Sequence, residues 1–258
     1  MIRVEILDVT DACDDLIYTA ARQCYNEGSI IDMSTYDSVD VAKLIKHCQN
    51  SGHHTVLEHA KVTFAIDGIS RALSHQLVRH RIASYSQQSQ RYAGIGEGGF
   101  VIPMTVRENP KAKMKFDLLL EDIERCYKEL IGLDIPAEDA RMVLPNATIT
   151  RIVVTMNFRA LLHFFEERLC KCAQWEIRDL ARQMLKAIKD YSIVFNEAGP
   201  KCERFGYCPE SANRWCGRKP LKKTFFSALD ELSKAQRSAE SEAKDMYELV
   251  DEIKGDCK

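Results

Sequence analysis

Val62-Thr63-Phe64-Ala65-Ile66-Asp67-Gly68-Ile69 is the stretch from which the rest of the chain can be read. Its first five residues are rich in β-branched and aromatic types and predict a strand, which Asp67-Gly68 closes as a turn. Ile69 to Val78 has helical spacing and predicts a short helix. That helix delivers Arg79-His80-Arg81-Ile82-Ala83-Ser84-Tyr85-Ser86-Gln87-Gln88-Ser89-Gln90-Arg91-Tyr92. Between Asp67 and Glu97 there is neither acid nor lysine, although Arg71, Arg79, Arg81 and Arg91 lie there with His75 and His80. At the chain's average acid content, a window this long would hold roughly four carboxylates. Arginines gathered without counter-ions expect an anion from outside, and the guanidinium fork suits phosphate or carboxylate oxygens. The apolar flanks Leu77-Val78 and Ile82-Ala83 predict partial burial, where an arginine needs a partner. The window reads as a pocket for a phosphorylated ligand; a solvated turn with surface charges is the plainer alternative.

Working outward, residues 1–8 alternate like a strand, with Ile2, Val4 and Ile6 on one face. A helix is predicted from Asp11 to about Tyr25, and another that Ser38 would cap, ending before Gly52. Asn109-Pro110 opens a long helix to about Leu133, and Pro136 to Val143 a short one. Thr148 to Thr155 is β-branched and strand-like, followed by helices over 158–171 and 173–197. Strands mixed with helices predict an α+β (mixed α/β) fold, an antiparallel-rich sheet flanked by helices. After Gly199-Pro200 the composition shifts: residues 201–220 hold Cys202, Cys208 and Cys216, and 221–254 predict one amphipathic helix. The expected organisation is a catalytic domain over 1–197 and a cysteine-containing segment with a C-terminal helical extension over 198–258. A docking face for another subunit is the preferred reading of that helix.

The chain has 258 residues, 45% hydrophobic and 29% charged, enough for a core and unlike a disordered segment. A net charge of −2 offers no global attraction to nucleic acid or to an anionic membrane. No apolar run approaches the ~20 residues of a membrane span, and Met1 to Leu7 does not resemble a signal peptide. The expectation is a cytoplasmic protein whose ten cysteines are thiols rather than a disulfide framework.

Gly52-His53-His54-Thr55-Val56-Leu57-Glu58-His59 supports two readings. His54, Glu58 and His59 partly echo helical zinc spacing, whereas Thr55 and Glu58 fit a capping box at a helix start. Gly94 to Gly99 matches G-x-G-x-x-G but lacks the flanking strand and helix of a dinucleotide fingerprint, so it reads as a flexible loop. Cys202, Cys208 and Cys216 lack paired C-x-x-C spacing, and no metal site is assigned. His163, among Leu161, Leu162, Phe164 and Phe165, reads first as a core histidine. Two rival functions remain open on the residues alone. One is a nucleic-acid binder stacking bases on Tyr85 and Tyr92; the other is a metal-dependent nucleotide hydrolase built on His53, His54, Glu58 and His59.

Arg79-His80-Arg81, seven residues, Ser89 and then Gln90-Arg91-Tyr92 resembles the signature of flavin-dependent thymidylate synthases. His53, Thr55, Glu58 and His59 match the family's upstream H-x-T-x-x-E-H, and Gln76 stands three residues before the arginine motif. Ala140-Arg141, Leu144-Pro145, Asn157, Arg159, Leu161, Phe164 and Arg168 follow in the family's order, then Ala173-Gln174-Trp175-Glu176-Ile177. The resemblance covers about residues 1–197.

It implies an enzyme that converts dUMP to dTMP using FAD, NADPH and methylenetetrahydrofolate, as a homotetramer whose active sites combine residues of several subunits. It places flavin contacts on Thr55, Arg79, His80 and Arg81, and further on Asn157, Phe158, Arg159 and His163. His53 would lie near the flavin and folate region, with Glu58 and Gln87 also on the cofactor side. The dUMP contacts fall on Gln76, Leu77, Val78 and Arg79, on Gln87, Gln88, Ser89, Gln90 and Arg91, and on Arg141 and Arg168. Arg168 is implied to activate the uracil ring by stabilising charge at N3 and O2, and Ser89 to bind rather than attack. Three positions depart from the family's usual pattern: Gln87 where glutamate is frequent, Gln90 where glycine is frequent, and His163 where asparagine also occurs.

Overall fold

The computed structural model describes residues 2–29, 31, 38–94 and 99–255, with side chains described as far as 240 apart from 238. The loop expected at 94–99 therefore falls largely outside the described residues. The chain divides into two compact units, Met1–Gly199 and Pro200–Lys258.

In the first unit the order is β1 (Arg3–Val9), α1 (Cys13–Gln23), α2 (Ser38–Asn50), a 3-10 turn (His54–Glu58), β2 (Lys61–Ser70), α3 (Arg71–Leu77) and β3 (Ser84–Gln87). There follow α4 (Met104–Arg107), α5 (Pro110–Gly132), α6 (Ala137–Ala140), a 3-10 turn (Arg141–Val143), β4 (Ile149–Asn157), α7 (Phe158–Arg168) and α8 (Trp175–Ile188). The four strands form one sheet in the order β1-β2-β4-β3, antiparallel at every pairing. The fold is α+β, an antiparallel sheet with helices packed against it.

Alternation decides which face is covered. Val62, Phe64 and Ile66 of β2 and Ile152, Val154 and Met156 of β4 are buried against Leu161, Phe164 and Phe165 of α7 and Ile177, Leu180 and Met184 of α8. Each such side chain contributes about 1.5–3 kcal/mol of transfer free energy. The long α5 starts where expected, because Asn109 Oδ1 accepts from the amides of Lys111 and Ala112 at 3.1 Å and Pro110 stands in the first turn.

One expectation about the strands is corrected, and one strand is found that was not expected. Asp67-Gly68 is not a turn: β2 continues to Ser70, and its register on β4 slips between Ile66 and Ile69. Asp67 and Gly68 together oppose Arg151, a bulge in which Gly68 supplies φ +76. Ser84–Gln87, which carried no strand prediction, pairs with β4 as an edge strand; four polar or aromatic residues give too short an alternation to recognise. Farther on, the helix expected over 173–197 stops at Ile188, and a 3-10 turn covers Ile193–Phe195.

The second unit comprises α9 (Lys201–Phe205), a 3-10 turn (Ala212–Arg214) and α10 (Lys222–Gly255). With few aliphatics available, it builds its core from rings: Tyr207 lies 5.4 Å from Phe205 and 5.5 Å from both Phe225 and Phe226. Cys202 and Cys208 are buried free thiols and Cys216 is half-buried. Among the described residues, no helix is long and apolar enough to cross a membrane.

Candidate functional site

The bulge in β2 turns Ser70 into the cap of α3. Its hydroxyl accepts from Leu73 N at 3.0 Å and donates to Glu176 Oε2 at 2.6 Å, while its amide donates to Glu176 Oε1 at 2.7 Å. Glu176 is 2% exposed in the first turn of α8. A buried carboxylate with two donors is satisfied, and it fixes the start of α3 against the core. At the other end, the Tyr85 hydroxyl reaches Leu77 O at 2.9 Å and His80 O at 2.8 Å, closing the Arg79-His80-Arg81 turn over the last carbonyls of the helix. Burial pushes the Tyr85 phenol up to about 12, so it remains a donor.

His80 is held inside this turn. Its ring meets Phe164 edge-on at 5.0 Å and His163 at 5.9 Å, and its Nε2 accepts from Arg168 Nε at 3.0 Å. Burial first, then the charges of Arg168 and His163, lower His80 to about 4, against an opposing effect of Glu167. A neutral imidazole that accepts at Nε2 carries its proton on Nδ1. His163 and Arg168, five residues apart and offset around α7, thus meet through a third residue from another element.

Beyond them, Asn157 Oδ1 caps α7 by accepting from Ala160 N at 2.8 Å, and Arg159 pairs with Glu58 at 2.5 Å. Arg79, Arg81 and His163 are exposed, and Arg79 and Arg81 have no acidic partner among the described residues. Phe158, by contrast, is inside the core, 4.8 Å from Phe195.

A second group lies at the far end of β3, roughly 10 Å along the strand from Ser84. Gln87 Nε2 donates to Ser74 Oγ at 2.9 Å and to Thr150 Oγ1 at 3.3 Å, and Ser74 Oγ in turn donates to Arg71 O at 2.9 Å. The neutral residue at 87 fits this network as a donor to two hydroxyl oxygens. A carboxylate there would need the Ser74 hydroxyl proton that Arg71 O already takes. Arg71 Nη1 donates to Gln88 O at 3.3 Å; burial, and then the charge of Arg141, lowers its pKa. Arg91 pairs with Glu138 at 2.6 Å, and Arg141 Nε donates to the Glu138 carbonyl at 3.2 Å.

Several expectations change here. Val78 and Ile82 are 38% and 73% exposed, so the turn is anchored by Leu77 and Tyr85 rather than by apolar flanks on both sides. The histidine amid apolar neighbours is not in the core: His163 is exposed while Leu161, Phe164 and Phe165 are buried. The capping box is not formed, since His54–Glu58 is a 3-10 turn without a side-chain cap and Glu58 faces Arg159. Of the upstream histidines, His54 Nε2 lies 3.1 Å from Gln49 O, and among the described residues His53, His54, Glu58 and His59 do not form a cluster of metal-ligand atoms. Sequence reasoning missed Thr150, Glu138 and the pairing of Ser70 with Glu176 as parts of the site, and gave Tyr85 only a base-stacking role in a rival reading. Glu176 stood inside a family block and Glu138 close to another, but nothing in the sequence marked Thr150 or said which residues would meet.

Fold and site together define a class: an α+β protein with a cationic surface built around a short edge strand. The comparisons with known proteins name it more closely. Residues 5–192 match the family described as Thymidylate synthase complementing protein. A flavin-dependent thymidylate synthase of Nitratidesulfovibrio vulgaris is 45% identical over 237 residues, spanning 86% of this chain and 97% of that one. One from Geobacter sulfurreducens is 44% identical over 231 residues, spanning 88% and 99%. Among solved structures, a UMP/dUMP methylase, PolB, from Streptomyces cacaoi, bound with 5-Br dUMP, aligns with TM-score 0.69 at 26% identity, covering 77% of this chain and 94% of that one. The chain belongs to the thymidylate synthase complementing protein family.

Proposed function

We propose that this protein is an FAD-dependent thymidylate synthase that converts dUMP to dTMP, taking its carbon from methylenetetrahydrofolate and its reducing equivalents from NADPH. The observation that carries the reading is the Arg168–His80 contact. It uses Nε of the guanidinium and so leaves the Nη side for a ligand, fixed in orientation by a neutral partner. Aimed at N3 and O2 of uracil, that side would stabilise the negative charge that makes C5 electron-rich. Residues available to hold the flavin fit its chemistry: Arg79 and Arg81 for the diphosphate, and His53, Thr55, Arg159 and His163 along its length, with Asn157 orienting the start of α7. When bound, the flavin supplies hydride transfer, and the chain supplies orientation and electrostatics. Gln76, Ser89 and Gln90 offer neutral hydrogen-bonding groups to dUMP, and Arg91 and Arg141 offer charge to its phosphate.

One chain puts Arg168 near one end of β3 and Arg91 and Arg141 near the other. That separation is about the length of one dUMP molecule; a homotetramer in the cytoplasm, with sites that combine residues of neighbouring subunits and α10 as a docking element, is what the family resemblance adds to this reading. The test is anaerobic turnover of dUMP with FAD, NADPH and methylenetetrahydrofolate. Formation of dTMP with oxidation of NADPH is expected, and absence of product would overturn the reading.

A further inference from the structure

Arg71, Arg91 and Arg141 gather near the far end of β3, and among the described residues a single carboxylate touches them. Glu138 Oε2 lies 2.6 Å from Arg91 Nη2, and the same residue accepts from Arg141 Nε through its backbone carbonyl at 3.2 Å. Arg71 is within electrostatic reach of Arg141 and is otherwise bound to neutral oxygens, Gln88 O at 3.3 Å and Thr150 Oγ1 at 3.5 Å. Of these three guanidiniums only that of Arg91 meets a carboxylate among the described residues, which leaves an excess of two positive charges. Both members of the Arg91–Glu138 pair are half exposed, at 51% and 49%, so the pair is hydrated and opens at little cost.

We infer that Glu138 is a resident competitor for the anion subsite: its carboxylate holds Arg91 until the phosphate of an incoming nucleotide displaces it. The inference rests on the reading that Arg91 receives the dUMP phosphate. A phosphate monoester carries about −1.5 to −2 charges and three acceptor oxygens at neutral pH, against one charge and two oxygens on the carboxylate. It outbids Glu138 for a cluster with two charges in excess, and the released carboxylate returns to solvent it already half occupies. A nucleoside without phosphate has nothing to exchange. Glu138 therefore lowers the occupancy of Arg91 by weak anions and narrows the preference for phosphorylated over unphosphorylated ligands.

Calorimetric titration of the full-length protein with dUMP and with 2′-deoxyuridine tests this in the wild type and in Glu138→Gln, Glu138→Asp and Arg91→Ala. Glu138→Gln keeps the shape and removes the charge, so it is expected to tighten dUMP about two- to fivefold while leaving deoxyuridine unchanged. Glu138→Asp, which keeps the charge, is expected to stay nearer the wild type. A Glu138→Gln protein that binds dUMP no better, beside an Arg91→Ala protein that binds it worse, would overturn the inference and leave the assignment of Arg91 standing. Undiminished dUMP binding by Arg91→Ala would overturn that assignment and the inference with it.

Discussion

Arg168 donates through Nε to Nε2 of His80 across 3.0 Å, joining the last turn of α7 to the turn that follows α3. Eighty-eight residues of sequence separate the two. The contact works only while His80 is neutral. A protonated imidazole would lose its acceptor and face a guanidinium.

Replacing Arg168 by alanine is expected to leave the fold intact and to lower kcat by roughly 10²–10³-fold, the usual cost of losing a donor aimed at developing charge. Steady-state turnover beside circular dichroism checks it. Undiminished turnover in a folded variant removes Arg168 from the mechanism.

Stability should depend on pH through His80. Its pKa falls from 6.5 to about 4 on folding, so between those values the unfolded chain binds a proton that the folded one refuses. The His80 contribution is therefore complete above about pH 6.5, is lost progressively as pH falls, and levels off below about 4. Denaturation midpoints across this range should fall more steeply in the wild type than in His80→Gln. Parallel curves would assign the slope to other groups.

The Glu176–Ser70 pair should matter to the fold before it matters to chemistry. Glu176→Ala leaves the Ser70 amide buried without a partner and is expected to cost about 2–3 kcal/mol in urea denaturation. Glu176→Gln keeps one acceptor and should cost less. Equal losses would mean the charge matters more than the hydrogen bonds.

Tyr85→Phe removes one hydroxyl that serves two carbonyls, at a cost of about 1 kcal/mol. Because those carbonyls close the turn holding His80, turnover should fall more than stability does. A stability loss with unchanged kinetics would show that the turn holds itself.

Much of this arrangement is legible in the sequence, for identifiable reasons. Asn109-Pro110 announces α5 because capping and a first-turn proline are local chemistry. The missing acids around Arg79 announce an exposed cationic surface because charge is counted without knowing the fold. The family's motif blocks point to the same surface. What was not legible depends on residues far apart in the chain. Ser84–Gln87 becomes a strand only because β4 offers it an edge, and Glu138 meets Arg91 only because α6 folds back onto that loop. His163 looked internal because its neighbours are; its own position on α7 turns it outward. The division of Arg168 from Arg91 and Arg141 by the length of β3 is likewise a property of pairing, which no motif spacing records.

Gly68 acts as the pivot of a lever. From the bulge it occupies, α3 extends about 10 Å before releasing the Arg79-His80-Arg81 turn. A tilt of about 6° at the pivot would move the far end by about 1 Å, a displacement that can cost a catalytic site about 10²-fold. A side chain unable to hold φ +76 at position 68 would thus strain the Ser70–Glu176 anchor first and, through α3, reach His80, twelve residues away.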